Sequence, residues 1–266
     1  MVARPGAGKL GRDAMALDDA APPAETVDLC KRFGEVTAVA SIDFRVERGQ
    51  VVGLLGGNGA GKTTTMSMLM GLLTPTSGDA RIFGVDAAKR DPAALARINF
   101  SSPYVEMPGR LTVFENLEIY ARLFGVRRPA ERIRALARDL ELDPFLHRMT
   151  RTLSAGQKSR SALAKSLVNE PELLLLHEPT ASLDPDTADW VRGYLETYQA
   201  RTGAAILLAS HNMPEVERLC DEVLMMRAGG IVDRGAPQAL IARHGRRNME
   251  EVFLDIARGR RQEAAG

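Results

Sequence analysis

The sequence predicts an α/β fold, in which buried strands of a parallel sheet alternate with helices. Short, unbroken apolar runs at 51–55, 173–176 and 204–209 have the length and composition of strands that are covered on both faces. A block of helical periodicity at about 105–150 interrupts this alternation. No apolar run approaches the length that a bilayer span requires.

The first part of the chain shows strand periodicity that leads into a glycine-rich loop. Residues 1–23 are rich in Ala, Gly, Pro and Asp, lack periodicity, and are predicted to form a disordered extension. The residues at 42–46 alternate between apolar and polar, as in a half-buried strand. After the strand at 51–55 and its glycine-rich loop, we expect a helix at about 61–73.

The helical block carries its own start signals. Thr112 and Glu115 have the spacing of a capping box, in which two side chains satisfy each other's backbone N–H groups. Pro129 stands where the first residue of a second helix is expected, a position that tolerates its missing N–H. We therefore assign an inserted α-helical subdomain to about 105–160.

Strands and helices alternate again after the insertion. We divide the chain into the extension at 1–23, a main domain at 24–235 and a C-terminal helical tail at 236–266. The later elements are expected to be a helix capped by Ser154, a strand at 172–176, a helix carrying Trp190, Tyr194 and Tyr198, a strand at 204–209, a hairpin at Gly229-Gly230, and short helices at 236–243 and 249–257.

Composition and charge are those of a globular protein and give no sign of a nucleic-acid partner. The chain has 35 basic and 34 acidic residues in 266, for a net charge of +1. Because a nucleic-acid interface needs an excess of positive charge, we expect no such partner. Cys30 and Cys220 do not form a metal-ligand pattern and fit a reducing compartment. The N-terminus has no apolar signal core, so secretion is not expected.

The glycine-rich loop after the strand at 51–55 matches the pattern G-x-x-x-x-G-K-[ST] without a gap. Glycines allow backbone N–H groups to curl around phosphate oxygens, and the next helix adds the positive end of its dipole. Lys62 places a positive charge at the β- and γ-phosphates, and the Thr63 hydroxyl is a candidate Mg²⁺ ligand. The residues predicted to bind a nucleotide are Gly56, Gly57, Asn58, Gly59, Ala60, Gly61, Lys62, Thr63 and Thr64.

A series of short motifs accompanies this loop. They are Phe33, Leu153-Ser154-Ala155-Gly156-Gln157, Leu173-Leu174-Leu175-Leu176-His177-Glu178, Ser182-Leu183-Asp184 and His211. In order, they resemble the adenine-stacking aromatic, signature motif, Walker B strand, D-loop and switch histidine of the ABC ATPase family. Each motif is weak alone, but their joint order over about 25–235 is specific. The resemblance implies a P-loop NTPase (RecA-like) core with an N-terminal antiparallel β subdomain and an inserted α-helical subdomain.

The resemblance also implies a role for each motif. Such subunits form head-to-tail dimers, with themselves or with a relative, and hold two ATP molecules with Mg²⁺. Glu178 would polarise the attacking water, and His211 would contact the γ-phosphate and orient that water. The other subunit's signature motif would close over each ATP, and its D-loop would help to join the two sites. These residues are Ser154, Ala155, Gly156 and Gln157 of the signature and Asp184 of the D-loop.

A membrane partner follows from the same resemblance. The helical block at about 105–150 would dock a transmembrane permease, which places the subunit in the cytoplasm on the inner face of the cytoplasmic membrane. The segment at 248–254 resembles a tail of exporter subunits in the drug-resistance and ABC-2 group, which favours export. An amphipathic helix that packs on its own domain explains that segment equally well.

Two departures from the family pattern fall on the metal and water side of the site. The Walker B strand ends in His177, where the family has an Asp, and an imidazole cannot supply a carboxylate's negative charge near Mg²⁺. The Q-loop glutamine is missing. Pro103 stands in its register, and Ser101 or Ser102 is left as a substitute. We expect firm ATP binding, weakened Mg²⁺ binding and slow or metal-altered hydrolysis. A tolerated variant at His177, whose role water or Glu178 fills, stays open.

Three functions are therefore compared. The first is an ATPase that drives export. The second is a hydrolysis-impaired ATP-binding regulatory subunit that gates a partner; both departures favour it, whereas retention of Glu178 and His211 opposes it. The third is an ABC protein that acts on ribosomes or DNA, which the single ATPase unit and the lack of sustained heptads and basic patches oppose.

Overall fold

The computed structural model describes residues 18–102, 106–181 and 183–257, and these residues form two sheets and a set of helices. The strands are β1 (Ala24–Phe33), β2 (Val36–Val46), β3 (Val51–Leu55), β4 (Ser77–Ile82), β5 (Val85–Asp86), β6 (Ile98–Ser101), β7 (Leu173–His177), β8 (Ala205–Ala209), β9 (Glu222–Arg227) and β10 (Gly230–Gly235). The helices are α1 (Lys62–Leu69), α2 (Pro92–Ala96), α3 (Val113–Leu123), α4 (Pro129–Asp139), α5 (Ala155–Leu167), α6 (Pro185–Thr202), α7 (Met213–Leu219), α8 (Pro237–Arg243) and α9 (Met249–Ala257), with 3₁₀ turns at Ala87–Lys89, Asp143–Phe145 and Thr150–Thr152.

The larger sheet has six strands in the order β10-β9-β3-β8-β7-β6. Strands β9, β3, β8, β7 and β6 are parallel, and only β10 runs against its neighbour. All five residues of β3 and of β8 are buried, as expected for strands covered on both faces. Because the parallel strands end at one edge, the segments that follow β3, β6, β7 and β8 meet there.

The smaller sheet is antiparallel, in the order β2-β1-β4-β5, and forms the predicted N-terminal β subdomain. Its inward residues, including Ile42 and Phe44, share one apolar core with Val52 and Leu54 of β3. The other face of the larger sheet packs against the helices in a second core. The parallel sheet is thus buried between the antiparallel sheet and the helices, which confirms the predicted α/β P-loop NTPase architecture.

The inserted helices begin where their caps are found. The Thr112 side chain accepts a hydrogen bond from the Glu115 N–H, and Glu115 reaches back to the Thr112 N–H, so the predicted capping box is formed. Pro129 occupies the first turn of α4, as predicted. One apolar face of these helices, with Leu117, Ile133 and Leu136, joins the second core.

The helix after the glycine-rich loop is shorter than predicted. We expected it at about 61–73, but α1 ends at Leu69. Gly71 adopts a left-handed conformation with φ +66°, and a Cβ there would lie 2.3 Å from the Ala87 carbonyl oxygen. The close approach of this neighbouring turn leaves no room for another helical turn, so the chain leaves the helix at Met70.

Both ends of the described chain contact the main domain. Asp19 pairs with Arg97 and its carbonyl accepts hydrogen bonds from Arg48; residues 1–17 of the predicted extension lie outside the described residues. In the C-terminal tail, Met249 and Val252 are buried in the second core. Among the helices of the described ranges, none has the length and apolar character of a membrane span.

Gly78 provides a test of the close contact between β4 and β1. Its φ is +74°, and a Cβ would lie 2.1 Å from the Asp28 carbonyl oxygen, whereas exposed Gly125 has φ +71° and no neighbour within 4 Å of its Cβ position. We expect Gly125→Ala to lower the free energy of unfolding by about 1 kcal/mol through backbone strain alone. Gly78→Ala adds the backbone clash and should cost about 3 kcal/mol or more. Equal losses in urea denaturation would contradict this packing.

Candidate functional site

The glycine-rich loop joins buried β3 to α1 and is held from beneath by close backbone contacts. A Cβ on Gly56 would lie 2.5 Å from the Met226 carbonyl oxygen, and one on Gly61, where φ is +105°, would lie 2.6 Å from the Ala38 carbonyl oxygen. At Gly57 and Gly59 the Cβ positions have no neighbour within 4 Å, and both residues are exposed with Asn58. The loop is therefore a fixed cradle with an open upper side, which suits a phosphate chain.

Lys62 lies folded into this cradle. Its Nζ donates to the carbonyl oxygens of Gly56 at 2.5 Å and Gly57 at 3.2 Å, and the residue is buried. Burial lowers the pKa of Lys62 below its usual value, and the charge of Glu178 opposes that shift. The ammonium group thus lies at the base of the loop, where β- and γ-phosphates of a nucleotide would neutralise it.

Glu178 and His211 meet at the ends of β7 and β8. The Glu178 amide donates to the Ala209 carbonyl at 2.8 Å, with φ +52° at Glu178. Its Oε1 lies 2.6 Å from His211 Nδ1, and its Oε2 accepts from the His211 backbone N–H at 3.3 Å. The carboxylate is buried while the imidazole is exposed. The fold therefore joins by hydrogen bonds two residues that the sequence places 33 positions apart.

His177 lies against the start of α1. Its Nε2 is 3.0 Å from the Thr63 hydroxyl oxygen, although the two residues are 114 positions apart in the chain. Burial lowers the pKa of His177; Glu178 opposes this shift, while Lys62 and His211 add to it. The ring is therefore neutral near pH 7. A hydroxyl oxygen and an imidazole nitrogen therefore lie side by side at this point.

The end of β6 carries the two candidates for a substitute of the missing Q-loop glutamine, Ser101 and Ser102. Ser101 closes β6 beside Leu176 of β7, and Ser101 and Ser102 are both buried. Pro103 lies outside the described residues. Among those described, no cluster of three or more His, Cys, Asp or Glu side chains could hold a metal ion alone. A metal here would need nucleotide oxygens or water to complete its coordination.

Glu215 belongs to the site, and the sequence reasoning missed it. It is fully buried on α7, and its Oε2 accepts from the Ser210 hydroxyl at 2.5 Å. Ser210 Oγ accepts from the Asn212 N–H, and the Asn212 side chain donates to Thr180 at 3.2 Å. These bonds hold the segment around His211 against the segment after Glu178. An acidic residue between apolar Met213 and Val216 of a short helix was the only available signal.

The signature motif and the D-loop lie side by side. Ser154 caps α5, as predicted, and it also forms a capping box with Gln157. Asp184 caps α6 through Thr187, and a Cβ on Gly156 would lie 3.2 Å from the Thr187 hydroxyl. Ser182 lies outside the described residues. Ala155 and Gly156 thus stand at a helix N-terminus that adjoins the D-loop.

Phe33 ends β1 and is half exposed, with Lys31 Nζ 5.1 Å from its ring centroid. Its ring is available to a flat ligand.

The fold and this site define a P-loop NTPase, and comparisons with known proteins narrow the class. The family described as "ABC transporter" matches residues 39–181. Nod factor export ATP-binding protein I of Cupriavidus pinatubonensis is 36% identical over 234 residues, which cover 86% of this chain and 72% of that protein.

Solved structures agree with this match. A structure titled "Structure of ATP binding subunit of ABC transporter" has a TM-score of 0.79 at 25% identity and covers 88% of this chain and 98% of its own. The cbiO1 protein of Clostridium perfringens, described as part of the ABC transporter complex cbiONQ, has a TM-score of 0.74 at 26% identity and covers 89% of this chain and 96% of its own. The chain belongs to the ABC transporter family and is one of its ATP-binding ATPase components.

Glu215 generates a prediction about pH and stability. Burial raises the pKa of its carboxyl above the usual 4.5; the Ser210 and Thr180 hydroxyls oppose the rise, and Glu178 adds to it. Because the folded state keeps this proton to a higher pH than the unfolded state, its stabilising contribution is complete below pH 4.5 and is lost as pH rises through the folded pKa.

Glu215→Gln keeps the shape but cannot ionise. Relative to this variant, the native protein should lose stability with rising pH, by at most about 1.4 kcal/mol per pH unit. Urea denaturation from pH 4.5 upward measures the difference. Glu250→Gln, at an exposed position of α9, is the control for the loss of one carboxylate charge. A constant difference between native protein and Glu215→Gln would refute a raised pKa at this carboxyl.

Proposed function

We propose that this ATPase hydrolyses ATP at a head-to-tail dimer interface and so drives export through a separate membrane permease. The observation that carries the hydrolytic role is the buried Glu178 carboxylate. Its Oε1 lies 2.6 Å from His211 Nδ1, at the sheet edge that also bears the phosphate loop. A binding module that only closes around ATP does not need this pair.

ATP binding rests on the cradle at the end of β3. The open N–H groups around Gly57, Asn58 and Gly59 would receive the phosphate oxygens, and the N-terminus of α1 would add its partial positive charge. Lys62 would turn from the loop carbonyls to the β- and γ-phosphates. The exposed ring of Phe33 would stack on the adenine. The whole nucleotide-binding set is Phe33, Gly56, Gly57, Asn58, Gly59, Ala60, Gly61, Lys62, Thr63 and Thr64.

We propose Mg²⁺ as the metal cofactor of the reaction, held by Thr63 together with the nucleotide. The donor set fits a divalent cation, since Thr63 offers an exposed hydroxyl oxygen where α1 begins. The metal would neutralise charge on the β- and γ-phosphates. The fit to Mg²⁺ is weakened, because His177 brings a neutral nitrogen where a carboxylate would add negative charge.

Hydrolysis would then depend on position and charge. Glu178 would accept the proton of the attacking water, and its hydrogen bonds to His211 keep one carboxylate orientation. His211, with its exposed ring, would contact the γ-phosphate. The buried network through Glu215 and Ser210 supports both residues from behind.

The second half of each site would come from the partner subunit, in a homodimer or heterodimer. The N-terminus of α5 directs backbone N–H groups outward, which favours contact with a γ-phosphate. Asp184 is held beside this helix by Thr187, so one movement would carry the D-loop and the signature motif together. The residues proposed to act in trans are Ser154, Ala155, Gly156, Gln157 and Asp184.

A docking surface for the permease is proposed on the helical subdomain. Ile119 and Leu123 are one turn apart on α3 and are both exposed, which is unfavourable unless a partner covers them. The export role is supported by the relative named for Nod factor export. We place the protein on the cytoplasmic face of the cytoplasmic membrane, where such a permease would hold it.

The catalytic roles can be tested with substitutions at adjacent positions. Glu178→Gln should retain ATP binding and lower the hydrolysis rate by about 100-fold or more, because it removes the general base. His177→Asp should lower the Mg²⁺ concentration for half-maximal hydrolysis by about 10-fold, because it restores the carboxylate. Both follow from steady-state phosphate release at varied Mg²⁺. If the native protein and His177→Asp hydrolyse ATP at the same rate at limiting Mg²⁺, the metal site is not impaired.

The partner can be tested by a mild-detergent pull-down from membranes of the native host. The native chain should recover a protein with several membrane spans. Leu123→Glu should lose it while binding ATP normally, and Leu72→Glu, exposed but outside the helical subdomain, should keep it. Recovery of ribosomes, or of no membrane protein, would contradict the transporter role.

A further inference from the structure

We propose that Nε2 of His177 is a direct ligand of the divalent metal that accompanies ATP, and that the site therefore favours a first-row transition ion such as Mn²⁺ over Mg²⁺. This inference rests on the proposed ATP site and deepens it. It concerns His177, which stands where the family resemblance expects a carboxylate and offers a nitrogen donor instead.

The distance between the two donors carries the inference. His177 Nε2 and Thr63 Oγ1 are 3.0 Å apart. Adjacent ligands of an octahedral ion with bonds of about 2.1 Å are separated by 2.1 × √2, or about 3.0 Å. A single ion can therefore bind both atoms at normal length without a change in their separation. A hydrogen bond in the absence of metal and two adjacent metal ligands therefore share the same donor separation here, and a turn of the imidazole ring towards the metal is the change that binding requires.

Both donors stand on elements that hold them in place. His177 is the last residue of β7, where it pairs with Ala209 of β8, and the strand before it is fully buried. Thr63 lies in the first turn of α1, directly after the fixed loop. A ligand pair on a strand end and a helix start keeps its spacing better than one on loops.

Glu178 does not replace the missing carboxylate. Its oxygens already bind the ring and the backbone N–H of His211, at 2.6 Å and 3.3 Å. Turning one of them to the metal would release His211 from its position. Among the residues that the structure describes, the Thr63 hydroxyl and the His177 nitrogen are thus the two donors found side by side at the start of α1, a set that replaces oxygen by imidazole.

Ligand type then decides the metal. Mg²⁺ prefers oxygen donors, whereas imidazole nitrogen suits first-row transition ions. Loss of one carboxylate removes one negative charge, which weakens the electrostatic attraction for Mg²⁺ and for Mn²⁺ alike. The nitrogen bond compensates for that loss with Mn²⁺ and does so poorly with Mg²⁺. The substitution should change selectivity as well as affinity.

Pulsed electron paramagnetic resonance of bound Mn²⁺ tests the bond itself. The full-length chain is loaded with Mn²⁺ and a non-hydrolysable ATP analogue, and the ¹⁴N modulation of the Mn²⁺ signal is recorded. We expect modulation from a directly bound imidazole in the native chain. Protein with ¹⁵N-labelled histidine and unlabelled nucleotide should show it at ¹⁵N frequencies, which excludes the adenine ring as its source and needs no substitution.

Two variants assign the nitrogen. His177→Asp should lose the histidine modulation and keep bound Mn²⁺, whereas His211→Ala should retain the modulation. Competition between Mn²⁺ and Mg²⁺ for the nucleotide-loaded protein gives the ratio of the two affinities, which is then divided by the same ratio for free nucleotide. This corrected ratio should be lower by about 10-fold or more in His177→Asp than in the native chain.

The outcomes separate this inference from the proposed function. If equilibrium dialysis shows that the native chain binds Mn²⁺ with the nucleotide but no histidine nitrogen couples to the metal, His177 is only a hydrogen-bond partner of Thr63 and the inference is wrong. Modulation that persists in His177→Asp also overturns it. Failure of the native chain to bind nucleotide and metal at all would overturn the ATP site together with the inference.

Discussion

The hydrogen bond from the Glu178 amide to the Ala209 carbonyl completes the last pair of β7 and β8, His177 with Ala209, and the geometry of the site depends on it. Directly after this bond Glu178 adopts a left-handed conformation, with φ +52°, and its carboxylate lies against His211 at the end of the neighbouring strand. Parallel pairing brings the ends of β7 and β8 to one edge of the sheet. The bond at the last pair places Glu178 beside His211 at that edge.

Apolar packing supports this sheet edge beneath the phosphate loop, and hydrogen bonds support it behind His211. Beneath the phosphate loop, apolar side chains of β3 and α1 fill the core, and the backbone approaches Gly56 and Gly61 too closely for any side chain. Behind His211 the support is polar, through Glu215, Ser210 and Thr180. A rigid apolar base suits a loop that binds phosphate, because its N–H groups must be in place before the nucleotide arrives. A polar network suits the segment around His211, because hydrogen bonds fix direction as well as distance.

Much of the fold followed from local patterns. The buried runs predicted β3, β7 and β8. The capping box at Thr112 and the cap at Ser154 predicted where α3 and α5 begin, because a cap depends on residues within one turn. The end of α1 could not be predicted in this way. It depends on Gly71 meeting the Ala87 carbonyl, a contact between turns that are distant in the chain. Local signals therefore predicted starts better than this end.

For the site, the sequence by itself determined the inventory of chemical groups: a phosphate loop with Lys62, a carboxylate at Glu178, an imidazole at His211, and an imidazole at His177 where the family has a carboxylate. Tertiary structure decided which of these groups meet. It placed His177 on Thr63 across 114 residues and bound Glu178 to His211, and it buried Glu215 where no pattern marked it. The physical reason is that motif spacing records only neighbours along the chain, whereas the order β3-β8-β7 brings three separate strand ends to one edge.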